Sequence, residues 1–146
     1  MIFWDTSAVV PLVVEEAMSG AATALLRADP AIVVWWATEV KCLSALARRE
    51  RDGGMAVAEA ELARRALRRL RESWAEVLPS EEVRERAEYL LLRQPKRASD
   101  ALQLAAALTW AGGRPRARAF CALDARLVSA ARAEGFDVPL EPTTGS

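Results

Sequence analysis

The sequence predicts one α/β domain, a central parallel sheet of four to five strands flanked by helices on both faces. Three observations carry that expectation. Short apolar or β-branched runs alternate with longer helical patterns along the whole chain, the order that builds a parallel sheet with crossover helices. At 146 residues the chain suits one domain with a sizeable core. Its 52% hydrophobic and 27% charged residues are a globular balance, and neither an internal repeat nor a linker divides it. The domain is expected over residues 1–141, with a frayed tail over 142–146.

Taken in order, Ile2 to Trp4 reads as a short buried strand. A helix follows from about Ser7, disturbed near Pro11, and a second covers about Glu15 to Arg27 before the Asp29-Pro30 turn. Ala31 to Trp36 is β-branched and aromatic, the best strand in the chain. Thr38 to Arg51 is helical and closes at Gly53-Gly54, and Met55 to Trp74 carries Ala63, Leu67, Leu70 and Trp74 at helical spacing. Ala75 to Leu78 is a weak strand before Pro79. Ser80 opens a helix to about Arg93, which Pro95 breaks. Ser99 to Gly112 is strongly apolar and helical. Beyond the Gly113-Arg114-Pro115 turn come a strand over Ala117 to Leu123, a helix over Asp124 to Glu134 and a last edge strand over Asp137 to Leu140.

Composition removes whole classes of chemistry. The chain has no histidine, which excludes Ser-His-Asp triads, Cys-His dyads and histidine-bound zinc. Cys42 and Cys121 lie in apolar patterns without metal-ligand spacing, as a reduced, buried pair of a cytoplasmic protein would. No apolar run approaches the roughly 20 residues of a membrane helix, and Asp5 interrupts the segment a signal peptide would keep apolar. Net charge is zero, so a nucleic-acid partner would need a local basic patch. Of the twenty basic residues only Lys41 and Lys96 are lysine; the rest are arginines, forked donors suited to phosphate.

The fold class makes a geometric statement about four acids. In a parallel sheet with crossover helices, every strand's carboxyl end and every returning helix's amino end share one edge. Asp5 follows the first strand, Glu39 lies in the first turn after the second, Asp100 opens the helix leading to the last, and Asp124 follows that strand. Each could simply favour a helix N-terminus. Glu39 and Asp100 resist that explanation, because Thr38 and Ser99 stand one residue earlier as hydroxyl cappers. Four neighbouring carboxylates repel one another, and a divalent cation resolves the conflict. Oxygen-only ligands point to Mg²⁺ or Mn²⁺, whose chemistry suits phosphodiester hydrolysis.

The segments IFWDTSAVV, the Thr38-Glu39 helix start, RASDALQLAAAL and FCALDARLVSAARAEGF resemble the PIN domain family. Within it the chain is most similar to VapC-type toxin ribonucleases of bacterial toxin–antitoxin modules. The resemblance covers almost the whole chain, in order. It implies a PIN-like domain and a Mg²⁺- or Mn²⁺-dependent endoribonuclease, with Asp5, Glu39, Asp100 and Asp124 as catalytic acids and metal ligands. Ser7 falls on the family's small polar position and would help order water or metal. The resemblance also implies a cognate antitoxin bound in a groove between helices, and a homodimer. Two positions depart from the pattern: Gln103 replaces a frequent histidine, and Ala122 replaces a hydroxyl two residues before Asp124.

Arginines crowd the Met55 to Trp74 helix and the end of the one before. Pairs within the helix, such as Glu61 with Arg65 or Glu72 with Arg68, would make most of them a solvated face. Arg48, Arg64 and Arg68 are the candidates for gripping RNA backbone. Trp35, Trp36, Trp74 and Trp110 read as core or interface residues. Two alternatives compete with the nuclease. One is a catalytically silent protein-binding module of the same fold; the other is an aspartyl-phosphate-forming phosphatase, which would want a second Asp where Ser7 stands and a lysine ending a strand.

Overall fold

The structure, a computed structural model, describes residues 1–142, so all but the first residue of the expected tail lies outside the described residues. Four strands are formed, β1 (Ile2–Trp4), β2 (Ile32–Trp35), β3 (Ala75–Val77) and β4 (Ala119–Cys121). They make one parallel sheet in the order β3-β2-β1-β4. The chain therefore steps outward from β1 to β3 and then returns to the other side of β1. That reversal, between β1 and β4, is where open parallel sheets leave a crevice at their carboxyl ends.

Helices cover both faces: α1 (Thr6–Val13), α2 (Ser19–Ala28), α3 (Thr38–Arg51), α4 (Val57–Ser73), α5 (Glu81–Arg93), α6 (Ala98–Trp110) and α7 (Ala125–Glu134). The pleat decides which strand residues meet which helices, because successive side chains point to opposite faces. Ile2, Trp4, Ile32, Val34 and Cys121 pack with Val9 of α1, Ala22 of α2, Cys42 of α3 and Leu67 of α4. Phe3, Val33, Trp35 and Phe120 pack with Val83 and Leu90 of α5, Leu104 of α6 and Leu127 of α7. Phe3 stacks on Phe120 with ring centroids 5.5 Å apart, and Phe120 leans on Phe136 at 5.6 Å. A strand buried on both faces has no polar side to spare, which is why these runs read as continuously apolar.

Four boundaries differ from expectation, each for a local reason. The second helix begins at Ser19 rather than about Glu15. The Ser19 hydroxyl accepts from the Glu16 amide and donates to the Val14 carbonyl, both at 2.8 Å, so these groups close a turn instead. The last strand starts at Ala119 because Ala117 adopts a left-handed backbone, φ 68°, that breaks extension. The edge strand over Asp137 to Leu140 is not formed. Asp137 makes a single parallel bridge to Ala119, and Pro139 has no N–H to continue a ladder. The sheet thus has four strands among the described residues. Finally, Thr38 and Ser99 do not cap: the cap positions are Ala37 and Arg97, neither of which makes a side-chain cap bond, and the Thr38 hydroxyl is buried and unpartnered. Ser80 does cap α5, accepting from the Val83 amide at 3.2 Å.

Phe120 is fully buried and touches aromatic rings from β1 and from the segment after α7. Phe120→Ala should therefore cost about 3–5 kcal/mol of unfolding free energy in urea denaturation. A loss below about 1 kcal/mol would mean that the Phe3–Phe120–Phe136 stack does not hold the sheet to α5–α7.

Candidate active site

Asp5 terminates β1, where its amide donates to the Cys121 carbonyl of β4 at 2.9 Å. The side chain is 4% exposed. Its Oδ2 accepts from the Ser7 amide at 3.1 Å, the N-cap bond of α1, and from the Ser7 hydroxyl at 2.6 Å. That hydroxyl oxygen also accepts from the Leu123 amide at 2.8 Å. Ser7 thus joins the end of β1 to the chain leaving β4, across the crevice. Burial pushes the Asp5 carboxyl up from its ordinary value, and the Ser7 hydroxyl and then the Lys41 charge pull it partway back.

The other three acids stand along the same edge. Asp124 caps α7, its Oδ1 accepting from the Arg126 amide at 2.9 Å and the Leu127 amide at 3.1 Å. Its second oxygen lies 4.0 Å from Arg97, whose Nε donates to Asp100 at 3.4 Å. One guanidinium therefore gathers Asp100 and Asp124. Glu39, in the first turn of α3, is forked by Arg71 of α4, with Nε at 2.9 Å from one oxygen and an Nη1 at 3.3 Å from the other. Neither Glu39 nor Asp100 bonds a helix amide, so capping does not account for their positions.

The thiols nearby are inert. Burial, reinforced by the Asp5 charge, pushes Cys42 up to about 12 and Cys121 higher still, so neither is a thiolate nucleophile near neutrality. The Glu39 charge also raises the Cys42 thiol, while Lys41 lowers it. Both cysteines are unbridged.

These residues fit Mg²⁺ or Mn²⁺ by donor type, all oxygen, and by their common edge. In the state described, arginines hold three of the acids. Among the described residues no three histidine, cysteine or acidic side chains converge closely enough to hold an ion as they stand. The cations beside the acids were missed in the sequence reading. Arg97 was legible in principle, three residues before Asp100 on one helix face. Arg71 and Lys41 were not, because tertiary packing brings them to Glu39 and Asp5.

The RNA candidates divide. Arg64 pairs with Glu50 of α3 at 3.2 Å, whereas Arg48 and Arg68 are exposed and make no ion pair among the described residues. The pairs expected inside α4 are absent among the described residues; its arginines reach across to Glu50 and Glu39 instead. Trp35 and Trp74 are buried as expected, while Trp36, just past β2 on the acid edge, is 53% exposed. Arg118 lies over the half-buried Trp110 ring, 5.1 Å from its centroid.

No protein-family model matches the chain, and no curated protein matches it in sequence. Solved structures do. A toxin–antitoxin complex from Klebsiella pneumoniae superposes with a TM-score of 0.67 at 16% identity, over 97% of this chain and 99% of that one. The Mycobacterium tuberculosis toxin VapC20, described as sarcin-ricin loop cleaving, superposes with a TM-score of 0.67 at 22% identity, over 94% of this chain and 97% of its own. The chain has a PIN-like fold. Both superpositions span nearly the whole of each chain.

Two outcomes test the site as described. Because burial raises the folded Asp5 pKa, its stabilising share is complete below the unfolded value of about 3.9 and is lost as pH rises through the folded value. Asp5→Asn stays neutral throughout, so in metal-free buffer it should melt above wild type at pH 7. The gap should close as pH falls toward about 4. A lower melting temperature at pH 7 would show that the carboxylate is held by more than the Ser7 bonds and Lys41. Ser7→Ala deletes the bond to Asp5 and strands the Leu123 amide; it should cost about 1–3 kcal/mol, read from urea denaturation.

Proposed function

We propose that this protein is a divalent-metal-dependent endoribonuclease that hydrolyses RNA phosphodiester bonds, and that it is the toxin of a toxin–antitoxin pair. The observation that carries the reading is that Asp5, Glu39, Asp100 and Asp124 all fall at strand ends or helix first turns on the carboxyl edge of a PIN-like sheet, with Asp5 bonded to β4 and Arg97 shared by Asp100 and Asp124. The two superposed structures add to it, one a toxin–antitoxin complex and the other an RNA-cleaving toxin.

Mg²⁺ or Mn²⁺ at Asp5, Glu39, Asp100 and Asp124 would polarise the scissile phosphate and lower the pKa of water. The chain's own residues do the positioning. Ser7 orients the Asp5 carboxylate through its 2.6 Å bond and keeps it against β4. The α7 amides fix one oxygen of Asp124 and leave the other facing Arg97, which also holds Asp100. Arg97 and Arg71 neutralise the remaining acids until phosphate and metal compete for them. With no histidine in the sequence and both thiols deeply buried, neither an imidazole base nor a thiolate nucleophile contributes, and the resemblance implies direct attack by water without a covalent protein intermediate.

Exposed apolar side chains support protein partners. Val40 and Leu43 of α3 with Val57 and Leu62 of α4 offer an antitoxin surface; Tyr89, Leu91 and Leu92 of α5 offer another, for a homodimer. No helix among the described residues is long and apolar enough to cross a membrane. Two buried free thiols support a reducing, cytoplasmic location.

Purified protein should cleave structured RNA only with Mn²⁺ or Mg²⁺, and Asp5→Asn and Asp100→Asn should each lose at least about 100-fold. Equal residual cleavage in both variants would mark a contaminant and sink the nuclease. Mn²⁺ alone should also raise the melting temperature of wild type more than that of either variant, a readout independent of turnover. Growth arrest on expression, relieved by co-expression of a small partner protein, tests the toxin assignment.

A further inference from the structure

Beside the acid edge lies a cavity of about 640 Å³ that the acids themselves do not explain. It opens between the segment joining α5 to α6 and the first turns of α7. Its lining includes the half-buried Asp100 and Lys96, the exposed Arg97 and Arg126, and Pro95 and Ser129. Its size falls in the range of small-molecule sites, roughly 300–1,000 Å³. Lys96 is one of two lysines in the chain, is half-buried, and among the described residues donates only to the neutral Gln94 amide oxygen, at 3.0 Å. Arg126 makes no ion pair among the described residues, although most arginines near the site do. Lys96 and Arg126, two cations with no ion pair among the described residues, stand on this cavity of a protein of zero net charge and favour a polyanion there.

We infer that this cavity is a nucleotide subsite: it seats the RNA nucleotide next to the scissile phosphate, with Lys96 and Arg126 on the flanking phosphates and the base against Pro95 and Ser129. The inference rests on the ribonuclease reading and deepens it. It also assigns substrate grip to residues other than Arg48, Arg64 and Arg68, which lie on α3 and α4. Sharing Asp100 and Arg97 with the acid edge makes the subsite continuous with the reaction centre. Substrate entering it brings phosphate to Arg97 and so draws that guanidinium off Asp100.

Fluorescence anisotropy of a labelled short single-stranded RNA, in EDTA so that no cleavage occurs, tests this. Lys96→Gln/Arg126→Gln should bind at least about tenfold more weakly than wild type, with the salt slope reduced by about 1.4, near 0.7 per lost phosphate contact. Ser129→Trp, which fills the cavity and removes no charge, should weaken binding while leaving the slope unchanged. A 5′-mononucleotide should displace the RNA better than inorganic phosphate. Unchanged affinity in the double variant, with loss in Arg48→Gln/Arg68→Gln, would move the RNA to the α3–α4 surface and overturn the subsite while leaving the nuclease standing. Equal competition by inorganic phosphate would reduce the site to a phosphate contact and overturn the nucleotide claim. A wild-type protein that neither binds nor cleaves RNA overturns both readings.

Discussion

A buried carboxylate at the junction of β1 and β4 is the constraint on which the acid edge depends. Asp5 enters the sheet with its backbone bonded to β4, and its side chain has little water to solvate it. A charge so placed must be given donors, and Ser7 supplies both its amide and its hydroxyl. Because that same oxygen accepts from the Leu123 amide, satisfying one charge also sets the distance between two strand ends. The chain after Leu123 has no freedom to wander, so Asp124 falls beside the crevice and caps α7 from there. A local solvation problem is thereby turned into the geometry of a site.

The second organising feature is the use of arginine as a counter-ion. Carboxylates on one sheet edge raise one another's free energy, and in this state Arg97 and Arg71 offset the repulsion. Arg97 is largely exposed, so its ion pairs to Asp100 and Asp124 are weak and readily exchanged. An edge held by weak, solvent-screened pairs can give up its arginine to a phosphate at small cost. A deeply buried arginine would instead lock the acids permanently. The same residue lines the neighbouring cavity, which couples occupation of that space to the charge state around Asp100.

Capping and ligation turn out to be compatible roles. Asp5 and Asp124 both accept from helix amides, the ordinary use of an aspartate at such positions, yet each keeps an oxygen directed elsewhere. Glu39 and Asp100 are the more telling pair. They sit inside first turns whose cap residues, Ala37 and Arg97, accept no helix amide, and their own carboxylates ignore the helix amides too. The reason offered from sequence, hydroxyl capping by Thr38 and Ser99, is not how these helices begin. The Thr38 hydroxyl is buried without a hydrogen-bond partner among the described residues instead.

The sequence by itself determined the alternation of elements, the two-faced burial of each strand and the edge on which the acids fall. All three follow from periodicity along the chain: apolar runs, the period-two pleat and the rule that strand ends and helix starts share an edge. Its limits appear where a partner far along the chain decides. The expected fifth strand gave way to one bridge because Pro139 lacks the N–H a ladder needs, a feature visible in sequence but outweighed there by Val138 and Leu140. Tertiary structure alone decided that Arg71 forks Glu39 across 32 positions, that Arg64 turns to Glu50, and that Ser7 reaches Leu123 across 116. It also decided that Trp36 stands exposed while Trp35 is buried, and that Lys96 and Arg126 face one cavity. Side-chain pairing between distant elements depends on how helices rotate against the sheet, and no local pattern of residues carries that rotation.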